Sequence, residues 1–202
     1  MERLVCLLVG YCFGLFLTAE LVARFRTGRG AAELGSGNPG MANIAGSLGA
    51  AWGALVLLGD VGKTAAACLL ARFVLFPELG ALATLYAGLG TALGHNFPLW
   101  RRFRGGKGVA VTCTFLVLAQ PLWGIASDLL GLLVVVLTGY LPLGAAVIPV
   151  AFIPAAFITL GPEAGALAGA AALLMLFRHR RGLLRVFRRQ EPRRGRCGQR
   201  KI

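Results

Sequence analysis

The sequence predicts an all-α polytopic membrane protein with seven transmembrane helices. Of its 202 residues, 57% are hydrophobic and only 14% are charged, and the mean hydropathy is +0.74. A soluble domain of this size could not keep so much apolar surface away from water. Apolar stretches such as Leu4 to Ala23 also reach the roughly 20 residues that a helix needs to cross a hydrocarbon core.

Seven apolar segments account for these helices. The first has no cleavage signature before Thr27, so we interpret it as a retained helix rather than a signal peptide. The second would be about 45 Å long if continuous, and the region from Gly59 to Gly62 could break it. The predicted spans are Leu4–Ala23, Ser47–Phe76, Leu79–Gly94, Gly108–Leu118, Leu122–Gly139, Leu143–Leu160 and Ala164–Arg178. Residues 1–178 thus form the transmembrane domain, and residues 179–202 form a basic C-terminal segment.

Cationic residues gather where predicted helices 1, 3 and 7 end. Lys and Arg are retained on the cytoplasmic side of a membrane, and seven crossings place all three clusters inside, whereas an even number would leave some outside. We therefore expect a bacterial inner-membrane protein with its N-terminus outside and its C-terminus in the cytoplasm. The clusters are Arg24, Arg26 and Arg29; Arg101, Arg102, Arg104 and Lys107; and the run from Arg178 to Lys201.

The same arrangement brings four polar segments to the cytoplasmic face. They are Gly30–Asn43, His95–Gly108, Tyr140–Leu143 and His179–Glu191. A site assembled from several loops can therefore form there.

Two glycine-rich segments on that face suit an anionic ligand. Residues 35–43 read GSGNPGMAN, in which glycines let backbone amides approach an anion and Ser36, Asn38 and Asn43 add side-chain donors. Residues 104–108 read RGGKG before an apolar helix, so Lys107, the amides and the helix dipole together suit a phosphate. Taken singly, the first segment could be an ordinary loop and Lys107 a cytoplasmic anchor.

A few other polar residues could carry chemistry. His95 and His179 lie at the inner ends of predicted helices 3 and 7, where each could pack as a polar tip, donate to a phosphoryl or carbonyl oxygen, or accept a proton. Asp60 and Lys63 are expected to form a structural ion pair within helix 2. No cluster of His, Cys and carboxylates indicates a metal, and no cofactor is expected.

In combination, three motifs resemble those of the PlsY family of bacterial membrane acyltransferases: GSGNPGMAN at 35–43, GHNFPLWRRFRGGKGVAV at 94–111 and RHRRGLLRVFRRQE at 178–191. The resemblance covers nearly the whole chain. It implies transfer of a fatty acyl group from acyl phosphate to the 1-hydroxyl of glycerol 3-phosphate, the first step of phospholipid synthesis, giving lysophosphatidic acid and phosphate. In that family acyl-CoA and acyl carrier protein are not direct donors.

The resemblance also implies roles for individual residues. Catalytic roles fall to Ser36, Lys107 and His179, with His179 orienting substrate or accepting a proton. Substrate-binding roles fall to Asn38, Asn43, His95, Gly105, Gly106, Gly108 and Glu191. Arg181 is added to them for its position in the third motif beside a replaced residue. The expected partners are the two substrates and membrane lipids, and the expected state is a monomer.

The chain departs from the family motifs at five positions. It has Ala42 and Val111 where the family usually has Thr, Gly46 for an arginine, Pro142 for Ser, and Gly182 for Asn. Arg181 could supply the missing guanidinium. On that hypothesis, Arg181→Ala weakens glycerol 3-phosphate binding and Gly46→Arg strengthens it.

The sequence is also compatible with other functions. A divergent paralogue could keep part of the phosphate site and bind a lipid or phosphorylated ligand with little turnover. A small transporter or channel would use Asp60 and Lys63 along its path, but no inverted repeat of broken helices is evident. Nucleic-acid binding by the basic segment is disfavoured, because Phe187 is its only interleaved aromatic residue.

Overall fold

The computed structural model describes residues 1–193, and over them the chain folds into nine α-helices without a strand. They are α1 (Glu2–Gly14), α2 (Thr18–Thr27), α3 (Met41–Leu48), α4 (Ala50–Leu70), α5 (Ala81–Asn96), α6 (Val109–Ala119), α7 (Pro121–Thr138), α8 (Leu141–Leu160) and α9 (Pro162–Phe187). The end of the basic segment, including Cys197 and Lys201, lies outside the described residues.

Four helical stretches in the described part of the chain are long and apolar enough to cross a membrane. They are Glu2–Thr27, Ala50–Leu75, Pro121–Thr138 and Leu141–Leu160. The shorter α5 and α6 lie between them in the bundle, and α5 is covered by its neighbours rather than exposed at the surface. The all-helical prediction for this part of the chain is therefore confirmed.

The observed helices differ from the predicted segments in three places. The first segment is interrupted at residues 15–17, which separate α1 from α2. The second shows no break at Gly59 to Gly62, because α4 runs through this region and ends in a π-helical turn at Ala71–Leu75. The last helix continues to Phe187, beyond the predicted end at Arg178.

The interruption between α1 and α2 leaves backbone carbonyls without helical donors. Lys63 Nζ donates to the Phe16 carbonyl at 2.7 Å, and Trp100 Nε1 donates to the Leu15 carbonyl at 2.9 Å. Lys63 Nζ also lies 2.7 Å from Asp60 Oδ1, which confirms the predicted ion pair. Irregular backbone inside a membrane bundle persists where such donors satisfy it.

Helix α5 forms the centre of the bundle. Twelve of its 16 residues are buried, and it packs against α1, α4, α6 and α9. Gly10 and Gly14 of α1 face Gly90 and Gly94 of α5, and a Cβ on any of the four would overlap the partner's backbone. Small residues four apart permit this close approach, and the packing fixes the end of α5 that carries His95.

Candidate active site

Two adjoining cavities open at one end of the bundle. The polar cleft, of about 1230 Å³, has nine cationic lining residues and two acidic ones, Glu20 and Glu33. The apolar cavity, of about 480 Å³, extends between helices past Leu57, Val61 and Val109. The cations of the polar cleft are Arg24, Arg101, Arg102, Arg104, Lys107, Arg178, Arg180, Arg181 and Arg185.

The two cavities meet at Ser36, Asn38 and Lys107, which line both. His179 and Pro142 also line the apolar cavity, so all four polar segments singled out from the sequence contribute to it. The three residues expected to be catalytic, Ser36, Lys107 and His179, therefore surround one cavity. Such a shape accommodates a ligand with a charged head and a long apolar tail.

Asn43 organises the loop that carries Ser36. Its Oδ1 accepts hydrogen bonds from the Ser36 amide at 2.7 Å and from Ser36 Oγ at 3.1 Å. Its Nδ2 donates to the carbonyls of Leu34 at 2.9 Å and Ala31 at 3.3 Å. Because both amide hydrogens are used within the loop, Asn43 positions Ser36, and its expected contact with a ligand stays a prediction.

The Gly105–Gly106 segment folds back onto the C-terminus of α5. The amides of Gly105 and Gly106 donate to the carbonyls of Asn96 and His95 at 3.1 and 3.0 Å. These carbonyls end a helix and need donors, so the two amides are not free for a phosphate. The expected phosphate contact at Gly105 and Gly106 stays a prediction, and these two amides are used by the end of α5.

Arg178 holds the same segment from the other side. Its Nη2 donates to the carbonyls of Gly105 and Gly106 at 2.8 and 2.5 Å, and its guanidinium lies 5.1 Å from the centre of the Phe97 ring. Arg178 therefore connects α9 to the loop that presents Lys107.

The amides available to an anion lie one step further along the chain. Gly108 has a φ of +75°, and a Cβ there would meet the Asn96 side chain, so glycine permits the turn into α6. The first-turn residues Val109, Ala110 and Val111 line the apolar cavity. Amides in the first turn of a helix have no intrahelical acceptor and lie at its positive end.

Lys107 lies beside this helix start in a partly buried position. Burial lowers the pKa of its ammonium, whereas the Glu191 carboxylate raises it. Glu191 also accepts a hydrogen bond from Arg185 Nε at 2.5 Å. This geometry makes Glu191 a counter-charge for Lys107 and Arg185, and its expected contact with substrate stays a prediction.

His95 is buried beneath the glycine segment. Its side chain is almost inaccessible, and its Nδ1 lies 2.9 Å from Lys63 Nζ. An ammonium can only donate, so Nδ1 is the acceptor, while Nε2 lies against Gly106 where a Cβ would not fit. His95 thus supports the loop from below, and its expected contact with substrate stays a prediction.

His179 has a different environment on α9. Its Nδ1 lies 3.1 Å from the Met175 carbonyl, and a carbonyl only accepts, so Nδ1 carries the proton. Nε2 is then left as an acceptor, and the residue lines the apolar cavity near Lys107. The arrangement can receive a proton from a ligand hydroxyl.

The remaining residues from the sequence analysis are placed as follows. Arg181 lines the polar cleft, and Ala42, Val111 and Pro142 line the apolar cavity. A Cβ added at Gly46 meets nothing within 4 Å, but one added at Gly182 comes within 2.7 Å of Pro142 Cγ.

Sequence reasoning gave no role to two charged residues of this site. Glu20 is buried and pairs with Arg24 at 2.8 Å and with Arg101 at 3.2 Å, and Arg178 holds the glycine segment. Only the spacing of Glu20 and Arg24, four apart on a helix, is a local signal. The other partners lie far apart in sequence.

Comparisons with known proteins agree on one family. The family model described as glycerol-3-phosphate acyltransferase matches residues 4–189. Glycerol-3-phosphate acyltransferase 1 of Lactobacillus johnsonii is 36% identical over 187 residues, covering 93% of this chain and 90% of that protein. The enzyme of Bordetella pertussis is 32% identical and covers 94% of this chain and 90% of its own length.

Solved structures give the same result. The crystal structure of PlsY, an integral membrane glycerol 3-phosphate acyltransferase, in its glycerol 3-phosphate form has a TM-score of 0.85 at 26% identity, covering 96% of both chains. Its lysophosphatidic acid form has a TM-score of 0.82, also at 26% identity, covering 96% of this chain and 95% of that chain.

Proposed function

Because the chain belongs to the glycerol-3-phosphate acyltransferase family, we propose that it transfers a fatty acyl group from acyl phosphate to the 1-hydroxyl of glycerol 3-phosphate. The products are lysophosphatidic acid and phosphate. The observation that carries this function is the meeting of a cation-rich cleft and an apolar cavity at Ser36, Asn38 and Lys107. The acyl chain occupies the apolar cavity, and the phosphates occupy the cleft and the start of α6.

The chemistry requires positioning more than a protein nucleophile. An acyl phosphate is already activated, so the glycerol hydroxyl oxygen attacks the acyl carbon, a C–O ester bond forms, and the bond to the phosphate oxygen breaks. His179 Nε2 accepts the hydroxyl proton, because its Nδ1 is held by Met175. Lys107 and the first-turn amides of α6 stabilise the departing phosphate.

Phosphate selection rests on the cations of the polar cleft. Arg181 lines this cleft and supplies a guanidinium that the chain lacks at Gly46. Ser36 and Asn38, at the junction of the cavities, orient the two substrates relative to each other. A monomer is sufficient for this site, since every residue named here belongs to one chain.

We further propose that the chain crosses the inner membrane seven times, with its N-terminus outside and the site at the cytoplasmic face. The crossings are α1 with α2, then α4 to α9 one by one. The clustering of cations in one cleft supports this orientation, because Lys and Arg are retained on the cytoplasmic side. Labelling of single cysteines introduced at Glu2 and Arg188, in a variant whose native cysteines are replaced, tests it, with opposite accessibility expected from the two sides.

The decisive experiment is acyl transfer by the purified protein. Phosphate release from acyl phosphate should depend on glycerol 3-phosphate and should match the lysophosphatidic acid formed. Acyl-CoA offered in place of acyl phosphate should give no product. Phosphate release that ignores glycerol 3-phosphate would contradict the proposal.

The second candidate is a paralogue that binds the same ligands with little turnover. It is favoured by Ala42, Val111 and Pro142, which put apolar groups on the wall of the cavity where the PlsY motifs have hydroxyl groups. This alternative predicts that glycerol 3-phosphate raises the melting temperature without product formation.

A further inference from the structure

Glu20 is a buried carboxylate at the edge of the polar cleft. Only 2% of its surface is exposed. Its Oε1 accepts a hydrogen bond from Arg24 Nε at 2.8 Å, and its Oε2 accepts one from the Ala31 amide at 3.0 Å. Arg101 Nη1 lies 3.2 Å from the same Oε2. One carboxylate therefore contacts α2, the loop before α3 and the turn after α5.

From Glu20 a continuous chain of hydrogen bonds leads to Ser36. Ala31 donates to Glu20 through its backbone N–H, and its carbonyl, in the next peptide group, accepts from Asn43 Nδ2 at 3.3 Å. Asn43 Oδ1 in turn accepts from the Ser36 amide and from Ser36 Oγ. The position of Ser36 is thus linked to Glu20 through the backbone of Ala31 and the side chain of Asn43.

On its other side Glu20 contacts the segment that leads to Lys107. Arg101 ends the short 3₁₀ turn Leu99–Arg101, and residues 102–104 connect this turn to the Gly105–Lys107 segment. Its side chain is 15% exposed and lines the polar cleft. Because a buried guanidinium needs a counter-charge, Glu20 determines where this turn sits.

We propose that Glu20 is a positioning residue that holds the Ser36 loop and the Arg101 turn together, and so sets the separation of Ser36 and Lys107 across the junction of the two cavities. The kinetic test of this proposal rests on the acyl transfer proposed above. The structural test depends only on the hydrogen-bond chain. Glu20 does not contact substrate in this role.

Two substitutions separate the contacts of Glu20. Glu20→Gln retains an oxygen that can accept from the Ala31 amide but removes the charge that pairs with Arg101. Glu20→Ala removes both contacts. Arg101→Gln breaks the same ion pair and also removes one cation of the polar cleft. Because the two substitutions share the lost ion pair, their effects should not add in the double variant.

The kinetic test compares kcat/KM for glycerol 3-phosphate per folded molecule. We expect a fall of about tenfold for Glu20→Gln and for Arg101→Gln, no further fall in the double variant, and about a hundredfold fall for Glu20→Ala. The fall should appear as a higher KM for glycerol 3-phosphate while the KM for acyl phosphate changes little. Loss of folded protein leaves both KM values unchanged and could not produce this difference. Glu163→Gln is the matched control, because it breaks an ion pair with Arg3 far from the cleft and should leave kcat/KM unchanged.

The structural test is amide hydrogen exchange in residues 31–37. Glu20→Ala should speed exchange there at least tenfold and leave α8 unchanged. Unchanged exchange in that segment, or wild-type kcat/KM in both Glu20 variants, would overturn the proposal. A wild-type protein without acyl transfer would instead refute the proposed function, and the exchange result would still decide the role of Glu20.

Discussion

At the scale of single residues, His179 is set apart by the hydrogen bond of its Nδ1 to the Met175 carbonyl. We predict that His179→Ala lowers kcat by about a hundredfold, because general-base help of that order is lost. The KM for acyl phosphate should stay nearly constant. Steady-state kinetics on protein with an unchanged melting temperature checks this, and normal turnover in the variant would remove His179 from the mechanism.

Lys107 should give the enzyme an alkaline limit. Burial lowers its pKa below that of an ordinary lysine, and Glu191 opposes this shift. A neutral Lys107 no longer attracts phosphate, so kcat/KM for glycerol 3-phosphate should fall as the pH rises through this lowered pKa. Glu191→Gln removes the charge that raises the pKa and should move the fall to lower pH.

The matched variant for this experiment is Lys107→Arg, whose guanidinium stays protonated throughout the accessible range. Its pH profile should lose the alkaline fall. Identical profiles for the wild type, Glu191→Gln and Lys107→Arg would show that another group sets the limit.

At the scale of elements, the start of α8 and the last turns of α9 pack so closely that the residue at one position limits the size of the residue at the other. A Cβ at Gly182 would lie 2.7 Å from Pro142 Cγ, so the two departures from the PlsY motifs belong together. We predict that Gly182→Asn destabilises the protein by about 1–3 kcal/mol through overpacking. Adding Pro142→Ser should recover most of that loss in thermal unfolding.

A control for this pair lies on the same helix. A Cβ at Gly169 meets nothing within 4 Å, so Gly169→Ala should not lower the melting temperature. If Gly182→Asn were equally harmless, the contact with Pro142 would not be the reason for glycine at this position. Restoring the family residue at 182 alone is therefore a poor test of activity.

The interrupted first span shows how an element can depend on distant side chains. Residues 15–17 are apolar, and nothing local in them indicates a helix end. The interruption is stable because Lys63 and Trp100 donate to the Phe16 and Leu15 carbonyls. Both donors come from other parts of the chain, so hydropathy alone could not reveal it.

At the scale of the whole molecule, the buried group of Asp60, Lys63 and His95 joins the interrupted first span to α4 and α5. We predict that Lys63→Met destabilises the protein by about 3–5 kcal/mol, because it leaves a buried carboxylate unpaired and a carbonyl without its donor. The Asp60→Asn, Lys63→Met double variant should be less damaging. Thermal unfolding in detergent measures both, and a double variant worse than Lys63→Met would contradict this account.

The distribution of charged side chains is also a property of the whole molecule, because it depends on how distant parts of the chain come together. Nine cations from three parts of the chain line one cleft. Elsewhere the Arg3–Glu163 pair, joined by the Tyr86 hydroxyl, ties α1, α5 and α9 together. Cations gathered at one end agree with a single cytoplasmic face, and they concentrate phosphate-bearing substrates there.

The sequence by itself determined the helical class, the approximate position of every apolar segment and the segments that line the site. Hydropathy and glycine-rich motifs are local properties, so they can be read without the fold. The motifs also placed Ser36, Lys107 and His179, because each lies inside a recognisable pattern.

Only the tertiary structure decided which polar groups are free to bind. Gly105 and Gly106 satisfy the end of α5, Asn43 organises its own loop, and His95 is held by Lys63. The partner of a hydrogen-bonding group is set by packing between segments far apart in sequence. For the same reason Glu20, whose partners are Arg24, Ala31 and Arg101, has no recognisable role until the chain is folded.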